Sequence, residues 1–226
     1  MVNDNRIRGI DHMAFPTFDP VGTIRFYRDV LGCPLVETMQ VKGWGPEYQT
    51  DFVHFFFDIG NEDRLAFFYY FGQPEYRDDR LPPLLDLGRH VALHVDTLED
   101  LAEYERRLKQ GGVEIEMKVM HETVESVYVR DPNHLLIEIA RPLRELTETD
   151  AVDAEITVQA LLDVLGDEDG PGAHGEPSLA ALWARKAQLI DARFAPAGDP
   201  AAGAALTPAA TTTAASGPAA TTTEAL

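Results

Sequence analysis

The chain has 226 residues, 45% of them hydrophobic, so it is long enough for one sizeable domain or for two small modules that share a core. Its 38 acidic and 19 basic residues give a formal net charge of -19, which repels phosphate backbones and argues against nucleic-acid binding. No apolar run approaches the roughly 20 residues of a membrane helix, and the polar N-terminus lacks the apolar core of a signal peptide. Cys33 is the only cysteine, which excludes an intrachain disulfide and favours a cytoplasmic location.

A strand–helix–strand–strand–strand pattern begins near residue 8 and occurs twice before residue 141. In the first copy, residues 10–17 alternate as a strand, and the apolar spacing over residues 21–31 predicts a helix that ends at Gly32. Three further strands are predicted over residues 35–41, 52–59 and 65–71.

The second copy follows a segment rich in Pro, Asp and Arg over residues 73–87, which is typical of a linker. Its predicted elements are a strand over residues 90–96, a helix over 98–109 and strands over 113–119, 125–130 and 134–140. His12 and His90 occupy matching positions, and their separation of 90 − 12 = 78 residues suits a whole βαβββ unit rather than a solenoid repeat.

The C-terminal part has a different character. Residues 156–165 and 178–194 are predicted to form two helices, the second with an apolar stripe that we expect to pack on the domain or on a second subunit. Ala, Thr, Gly and Pro dominate from residue 195, which is typical of a disordered tail. The predicted organisation of this α+β chain is a first module (8–72), a linker (73–87), a second module (88–141), a helical extension (142–194) and a tail (195–226).

Two histidines and a glutamate have the positions of metal ligands. His12 and His90 lie at the start of equivalent strands, and Glu138 lies between two aliphatic residues of the last predicted strand. An unpaired carboxylate is costly to bury there, and a metal ion, or an Arg or Lys partner, would relieve that cost. Two histidines and one carboxylate also form the facial triad of non-haem Fe(II) proteins, which leaves coordination positions open.

The doubled pattern over residues 8–141 resembles the vicinal oxygen chelate superfamily. That superfamily includes glyoxalase I, fosfomycin and bleomycin resistance proteins, methylmalonyl-CoA epimerase and the extradiol ring-cleaving dioxygenases. The resemblance implies that the two βαβββ modules form a cupped mixed sheet around a divalent metal.

The number of ligands separates the branches of this superfamily. Glyoxalase I and the epimerases use four, two from each module. Alignment of residues 64–68 with residues 134–138 places Phe68 opposite Glu138, and phenylalanine cannot bind a metal. The resemblance therefore implies three ligands, His12, His90 and Glu138, as in the extradiol dioxygenases.

A stretch of the second module also resembles the extradiol dioxygenase signature. The matching residues are Val119-Met120-His121, Val127-Tyr128, Asp131-Pro132-Asn133-His134 and Glu138. The chain departs from the signature at His134, where Gly or Pro is expected, so the turn there is expected to differ. By this resemblance His121 and Tyr128 hydrogen-bond the bound oxygen species and the catecholate.

The resemblance also implies an acid–base residue on the third strand of the first module. The family has a histidine there, but hairpin alignment brings Asp58 closest to the ligand histidine, and His54 lies two pairs earlier on the same face. Either residue can fill the role, and His94 is a further candidate because it shares a face with His90. Aromatic side chains are expected to wall an apolar pocket or to pack in the core: Trp44, Phe56, Phe68 and Tyr70.

The resemblance thus implies an Fe(II)-dependent extradiol-type dioxygenase, with Mn(II) or another divalent metal as alternatives. Its partners would be a small aromatic substrate, O2 and a second copy of the chain in a homodimer. A lyase or isomerase of the glyoxalase or epimerase type is the first alternative, and it requires a fourth ligand. A metal-free binding protein of the resistance type is the second, and metal content distinguishes it from both enzymes.

Overall fold

The computed structural model describes residues 9–45, 49–73, 82–166 and 178–195. The chain divides into two compact units between residues 145 and 146. Most of the predicted linker (74–81) and nearly all of the predicted tail (196–226) lie outside the described residues.

The first module contains four strands and one helix. Its elements are β1 (His12–Pro16), α1 (Pro20–Ile24) with a π-helical continuation (Arg25–Leu31), β2 (Leu35–Trp44), β3 (Thr50–Asp58) and β4 (Arg64–Tyr70). The sheet has the order β1-β4-β3-β2, with β1 parallel to β4 and the other neighbours antiparallel. The helix begins where Asp19 accepts a hydrogen bond from the Gly22 N–H at 2.8 Å, and it ends at Gly32, whose φ of 81° suits glycine.

The second module repeats this arrangement after a short additional helix. Its elements are α2 (Pro83–Gly88), β5 (His90–His94), α3 (Leu98–Gln110), β6 (Ile115–Met120), β7 (Val124–Arg130) and β8 (Leu136–Pro142). The sheet has the order β5-β8-β7-β6, again with the first pair parallel. A capping box between Thr97 and Asp100 starts α3, because each side chain bonds the other residue's backbone N–H.

Both sheets bury one face in the same hydrophobic core. The core residues from the strands alternate along each strand, and the π-helical continuation of α1 and the helix α3 contribute most of the rest. The principal members are Phe26, Tyr27, Leu31, Phe55, Phe57, Leu65, Phe67, Val91, Leu101, Leu108, Val127, Val129, Ile137 and Ile139. The side chains of the intervening strand residues therefore lie on the opposite face of each sheet.

Buried polar contacts also join the two modules. The Tyr27 hydroxyl donates to Asp131 Oδ2 at 3.1 Å, and the Asn133 side-chain amide donates to Thr23 Oγ1 at 3.0 Å. Burial raises the pKa of Asp131 above its usual range. These contacts tie the first helix to the turn between β7 and β8, so they fix how the two modules of one chain are oriented.

The second compact unit is a helical hairpin of α4 (Glu148–Leu165) and α5 (Leu179–Phe194). Three ion pairs join the two helices: Arg185–Asp163 at 2.6 Å, Lys186–Asp153 at 2.7 Å and Arg193–Glu155 at 3.1 Å. Leu179 and Trp183 of the predicted apolar stripe are exposed. Of the helices that the structure describes, none has the length and apolar character needed to span a membrane.

The predicted α+β fold of two βαβββ modules is confirmed, with local differences. Residues 83–87 of the predicted linker form α2 together with Gly88. His134, predicted to begin the last strand, instead lies in the preceding turn with φ of 64°. Its left-handed backbone follows from Asp131, whose Oδ1 accepts hydrogen bonds from the N–H groups of Asn133 and Leu135, both at 2.8 Å. A positive φ of this size is adopted most readily by glycine, so the turn is strained at a histidine.

Candidate metal centre

The strand registers show which residues of the two modules are equivalent. His12 and His90 are the first residues of β1 and β5, and two residues further along, Ala14 pairs with Ala66 whereas Ala92 pairs with Glu138. In the structure, the residue of the first module that is equivalent to Glu138 is therefore Ala66, and not Phe68. The alignment that gave Phe68 was wrong by two residues, because it matched Arg64 with His134, whereas β8 begins only at Leu136, the residue equivalent to Arg64.

The same registers extend the equivalence to the neighbouring strands. Ala66 pairs with Phe56 and Glu138 pairs with Tyr128, so Phe56 and Tyr128 are equivalent. Two residues earlier on each strand, His54 of β3 corresponds to Ser126 of β7. The first module thus has an alanine at the position of the candidate ligand Glu138 of the second module, and alanine has no donor atom for a metal.

In the second module, His90 and Glu138 form one half of the candidate centre. Their Nε2 and Oε2 atoms are 2.9 Å apart, and Glu138 is only 6% exposed. The Ser126 hydroxyl donates to the other carboxylate oxygen, Oε1, at 2.5 Å. This bond holds the carboxylate so that Oε2 faces the imidazole.

The tautomer of His90 determines what can lie between His90 Nε2 and Glu138 Oε2. His90 Nδ1 lies 3.0 Å from the carbonyl oxygen of Leu87, which can only accept, so Nδ1 carries the proton. In a neutral imidazole, Nε2 is then an acceptor that faces the acceptor Oε2 of Glu138. A proton or a cation between the two atoms is required to make this contact favourable. The donor atoms therefore fit a divalent metal.

Tyr128 lies beside this half. It pairs with Glu138 across the sheet, and its ring centroid is 5.9 Å from that of His90. Burial and the charge of Glu138 raise the pKa of Tyr128, so its phenol stays protonated at neutral pH and remains a hydrogen-bond donor.

In the first module, His12 belongs to the other half of the candidate centre. Its Nδ1 lies 2.7 Å from Asp11 Oδ1, so in the neutral imidazole Nδ1 carries the proton and Nε2 is the acceptor nitrogen. The hydrogen bond from His12 and the nearby Arg64 charge lower the pKa of Asp11. Arg64 Nη2 lies 2.8 Å from the same carboxylate oxygen.

His54 is buried next to His12. It is 4% exposed, its ring stacks on Phe68 with centroids 3.5 Å apart, and its centroid is 6.0 Å from that of His12. Burial and the charge of His12 lower the pKa of His54 to about 4, against a smaller opposing effect of Glu37. Its Nε2 atom is buried and has no partner among the described residues.

The other proposed acid–base residues lie elsewhere. Asp58 accepts a hydrogen bond from the Gly60 N–H at 2.7 Å and, with His94, lines a separate pocket of about 330 Å³. That pocket also contains Cys33, whose thiol pKa burial raises to about 11. The structure therefore places His54, and not Asp58, beside His12.

His121 lies in the exposed turn between β6 and β7. Its N–H donates to the Val124 carbonyl at 2.8 Å. Tyr128 pairs with Met117, four residues back along β6. Because a strand rises about 3.3 Å per residue, the His121 backbone is roughly 13 Å along the strand from that pair.

The structure thus assembles two half-sites. Glu138, His90 and Tyr128 are together in the second module, and His12 and His54 are together in the first. Among the described residues, no three potential ligands of one chain converge on a single point. Both halves lie on the sheet faces that are turned away from the shared core.

An aromatic surface extends from His12 along the same face of the first module. The ring contacts run from His12 to Phe56, from there to His54 and Phe68, and on to Tyr70, with centroid distances of 3.5 to 5.6 Å. Four aromatic residues were expected to wall a pocket or to pack in the core: Trp44, Phe56, Phe68 and Tyr70. The last three belong to this row of ring contacts. Trp44, the fourth, lies farther out, 6.0 Å from Phe52, and is 63% exposed.

Three supporting residues were missed in the sequence: Asp11, Arg64 and Ser126. Asp11 directly precedes His12, and its proximity alone was a usable signal. Arg64 contacts Asp11, and Ser126 contacts Glu138, only because their strands pair in the sheet. No local pattern in the sequence predicts such a contact.

The fold agrees with a comparison against known families. A family model described as the glyoxalase/bleomycin resistance protein/dioxygenase superfamily matches residues 9–139, more than half of the chain. The chain belongs to this superfamily. No curated protein matches the chain in sequence.

The chain is also similar to solved structures at low sequence identity. A glyoxalase/bleomycin resistance protein/dioxygenase domain from Frankia sp. EAN1pec has 22% identity and a TM-score of 0.47, covering 62% of this chain and 96% of its own. A lactoylglutathione lyase from Agrobacterium tumefaciens has 19% identity and a TM-score of 0.42, covering 61% and 96%. A fosfomycin resistance protein from Mesorhizobium loti has 20% identity and a TM-score of 0.42, covering 65% and 98%.

Proposed function

We propose that this member of the superfamily is an Fe(II)-dependent extradiol-type dioxygenase that cleaves a small catechol-like aromatic substrate. The observation that carries the proposal is the donor set: Nε2 of His90 faces Oε2 of Glu138 at 2.9 Å, and Nε2 of His12 is the third donor. Ala66 supplies none, so three protein ligands remain. Two histidines and a carboxylate with open positions are typical of non-haem Fe(II) oxygenases.

A bound divalent metal would supply adjacent open positions for two substrate oxygens and would lower the pKa of a coordinated hydroxyl group. Fe(II) is the metal that the donor set favours, and Mn(II) has similar ligand preferences. The orienting contacts of the ligands support this assignment, because each histidine has its Nδ1 engaged by an oxygen acceptor and presents Nε2.

The protein's own residues would bind and orient the substrate. The aromatic surface beside His12 gives a planar ring a stacking partner. Tyr128, whose phenol stays protonated, would donate a hydrogen bond to a developing oxyanion. His54, whose buried Nε2 has no hydrogen-bond partner among the described residues, would accept the second hydroxyl proton of the substrate. A role for His121 requires the β6–β7 turn to fold toward Tyr128.

The complete ligand set requires a second copy of the chain. The half-sites lie on faces turned away from a common core, and β1 and β5 are edge strands of separate sheets. Unpaired edge strands present free N–H and C=O groups to another chain. If β1 of one copy paired with β5 of its partner, His12 would meet His90 and Glu138 of the partner subunit. A homodimer of this kind contains two equivalent sites.

A second candidate function is a metal-dependent lyase or isomerase of the glyoxalase or epimerase type. The observation in its favour is His54, whose unpartnered Nε2 lies on a ring 6.0 Å from His12. Metal–nitrogen bonds of about 2.1 Å put two imidazoles on one ion with centroids roughly 5 Å apart, so a small rotation would make His54 a fourth ligand. Four protein ligands would leave too few open positions for both a chelating substrate and O2.

Oxygen uptake is the deciding experiment. The protein is purified without oxygen, loaded with Fe(II) and mixed with a panel of catechols, in parallel with Glu138→Ala and the control Glu116→Ala. Glu116 is an exposed carboxylate of β6 that pairs with Arg130. We expect uptake and a coloured ring-fission product for the parent protein and the control, and at least a hundredfold loss in Glu138→Ala.

The other outcomes distinguish the alternatives. Tight metal binding without oxygen uptake for any catechol would reject the dioxygenase and favour the lyase or isomerase. No metal binding, with no effect of Glu138→Ala on ligand binding, would reject both enzymes.

A further inference from the structure

The candidate ligand His12 is held by a chain of charged contacts across the first sheet. Its Nδ1 lies 2.7 Å from Asp11 Oδ1, and Arg64 Nη2 lies 2.8 Å from the same oxygen. Arg64 Nε also donates to the Asp11 carbonyl at 3.2 Å, and Nη1 donates to Glu37 Oε2 at 2.7 Å. The contacts thus run from the edge strand β1, over β4, to the opposite edge strand β2.

Arg64 is immobilised by these contacts. Three of its nitrogens donate, two of them to carboxylates, and its guanidinium lies 5.6 Å from the centre of the Phe56 ring. Hydrogen bonds between a guanidinium and carboxylates are charge-assisted, and they fix geometry because the donors form a rigid fork. Asp11 is 77% exposed in its side chain, so without Arg64 nothing else described would hold its carboxylate against His12.

The second module shows that the fold does not require this arrangement. The position of Arg64 is taken by the buried Leu136, and the position of Asp11 by Arg89. There His90 is oriented by a backbone carbonyl, that of Leu87, at 3.0 Å. The two candidate ligands are therefore held by different means, a charged pair in one module and a neutral carbonyl in the other.

We propose that Asp11 and Arg64 are positioning residues, which fix His12 as the Nδ1–H tautomer and direct its Nε2 to the metal. This inference rests on the proposed metal site. A carboxylate partner also raises the basicity of a ligand histidine, so His12 binds a cation more tightly than it would with a neutral partner. With Glu37, the network carries two carboxylates and one guanidinium, and this net negative charge favours a cation close by.

The first measurement needs no metal. Long-range ¹H–¹⁵N NMR of the metal-free full-length protein reports which nitrogen of His12 carries the proton. We expect the Nδ1–H tautomer in the parent protein and its loss in Asp11→Ala. Asp11→Asn should retain it, because the amide oxygen still accepts. Asp29→Ala is the matched control, since Asp29 is a half-exposed carboxylate whose partner is the adjacent Arg28.

The second measurement is metal affinity, followed by the visible absorption of Co(II) titrated into the same proteins. We expect Asp11→Ala to weaken Co(II) binding about 10- to 100-fold, the range for loss of a partner of a ligand histidine. Asp11→Asn and Arg64→Ala should weaken it less, and Asp29→Ala should leave it unchanged.

An unaltered His12 tautomer and unaltered Co(II) affinity in Asp11→Ala would overturn the inference. A tautomer that changes in a protein that binds no Co(II) would uphold the orienting role and reject the proposed metal site. Equal losses in Asp11→Ala and Asp29→Ala would also overturn it, since a general loss of structure then accounts for both.

Discussion

His54 is the residue whose environment is hardest to explain by packing alone. An imidazole with a buried, unpartnered nitrogen costs about 1–3 kcal/mol relative to one that is hydrogen-bonded. Stacking on Phe68 returns part of that free energy. A hydrogen bond from a substrate hydroxyl, or a bond to a metal, would offset the remaining cost. The buried Nε2 is therefore compatible with both candidate functions and does not distinguish between them.

The low pKa of His54 predicts how stability depends on pH. Between its folded pKa of about 4 and an unfolded pKa near 6.5, the unfolded chain binds more protons, so the free energy of unfolding rises with pH across that window. We expect the metal-free protein to lose at most about 3 kcal/mol from this group as the pH falls from 6.5 to 4, at about 1.4 kcal/mol per pKa unit. Urea unfolding in EDTA measures it.

His54→Phe is the matched variant for that experiment, because phenylalanine keeps the stacking on Phe68 and cannot be protonated. Its stability should change less over the same pH range than that of the parent protein. Parallel curves for the two proteins would mean that His54 is protonated as easily in the folded protein as in the unfolded chain.

At the scale of the element, strand register decides which side chains meet. The sequence alignment of β4 with β8 was wrong by two residues, and a shift of two keeps the same face, so the error left the alternation intact. The error nevertheless put the large aromatic Phe68 at the position equivalent to Glu138, where the structure has the small Ala66. Ala66 is fully buried and pairs with Phe56, whereas Phe68 pairs with His54 and stacks on its ring.

The equivalence of the modules predicts a fourth ligand by transplantation. The double variant His54→Ser with Ala66→Glu copies Ser126 and Glu138 into the first module and removes the imidazole that would crowd the new carboxylate. We expect Mn(II) affinity to rise at least about tenfold, and Fe(II)-dependent oxygen uptake to fall as an open position is lost. Titration of Mn(II) followed by electron paramagnetic resonance measures the affinity.

Phe68→Glu is the control, since it places the carboxylate at the position that the sequence alignment indicated. Two residues along a strand move it about 7 Å from the row of Ala66. Tighter Mn(II) binding in this variant, without an increase in the double variant, would contradict the register-based equivalence.

At the scale of the whole molecule, one chain holds two different half-sites and no complete site among its described residues. The shared core and the Tyr27–Asp131 contact fix the modules with their site-bearing faces apart. The two edge strands that begin with ligand histidines remain unpaired with each other. The proposed association of two copies would use these two edge strands, which the contacts within one chain leave free of each other.

Mixing two inactive variants tests this assembly. His12→Ala retains His90 and Glu138, and Glu138→Ala retains His12, so a mixed dimer contains one complete site and one that lacks both. Coexpressed chains that pair at random should recover about a quarter of the parent protein's metal sites, because half of the dimers are mixed and each holds one of two sites.

The measured quantities are tightly bound metal per chain and the mass of the assembly. Each variant expressed alone should bind no metal tightly, while remaining a dimer. If coexpression restores nothing although mixed dimers form, the three ligands do not come from two chains, and the site must close within one.

The sequence by itself determined the elements and the candidate donors. Alternation over the strands, the Gly32 stop and the spacing of 78 residues sufficed for two βαβββ modules, because strand and helix periods are local properties. His12, His90 and Glu138 were identified by the same repeat. Glu138 lies between two aliphatic residues, a position where a carboxylate needs a partner.

Only the tertiary structure decided how these donors are grouped. The strand register made Ala66 the residue of the first module that is equivalent to Glu138. It also placed His54, rather than Asp58, beside His12. The packing of both sheets on one core separated His12 from the other two candidate ligands, His90 and Glu138. Such groupings depend on which strands pair and on which faces are buried, and these are contacts between residues far apart in the chain, to which local periodicity is insensitive.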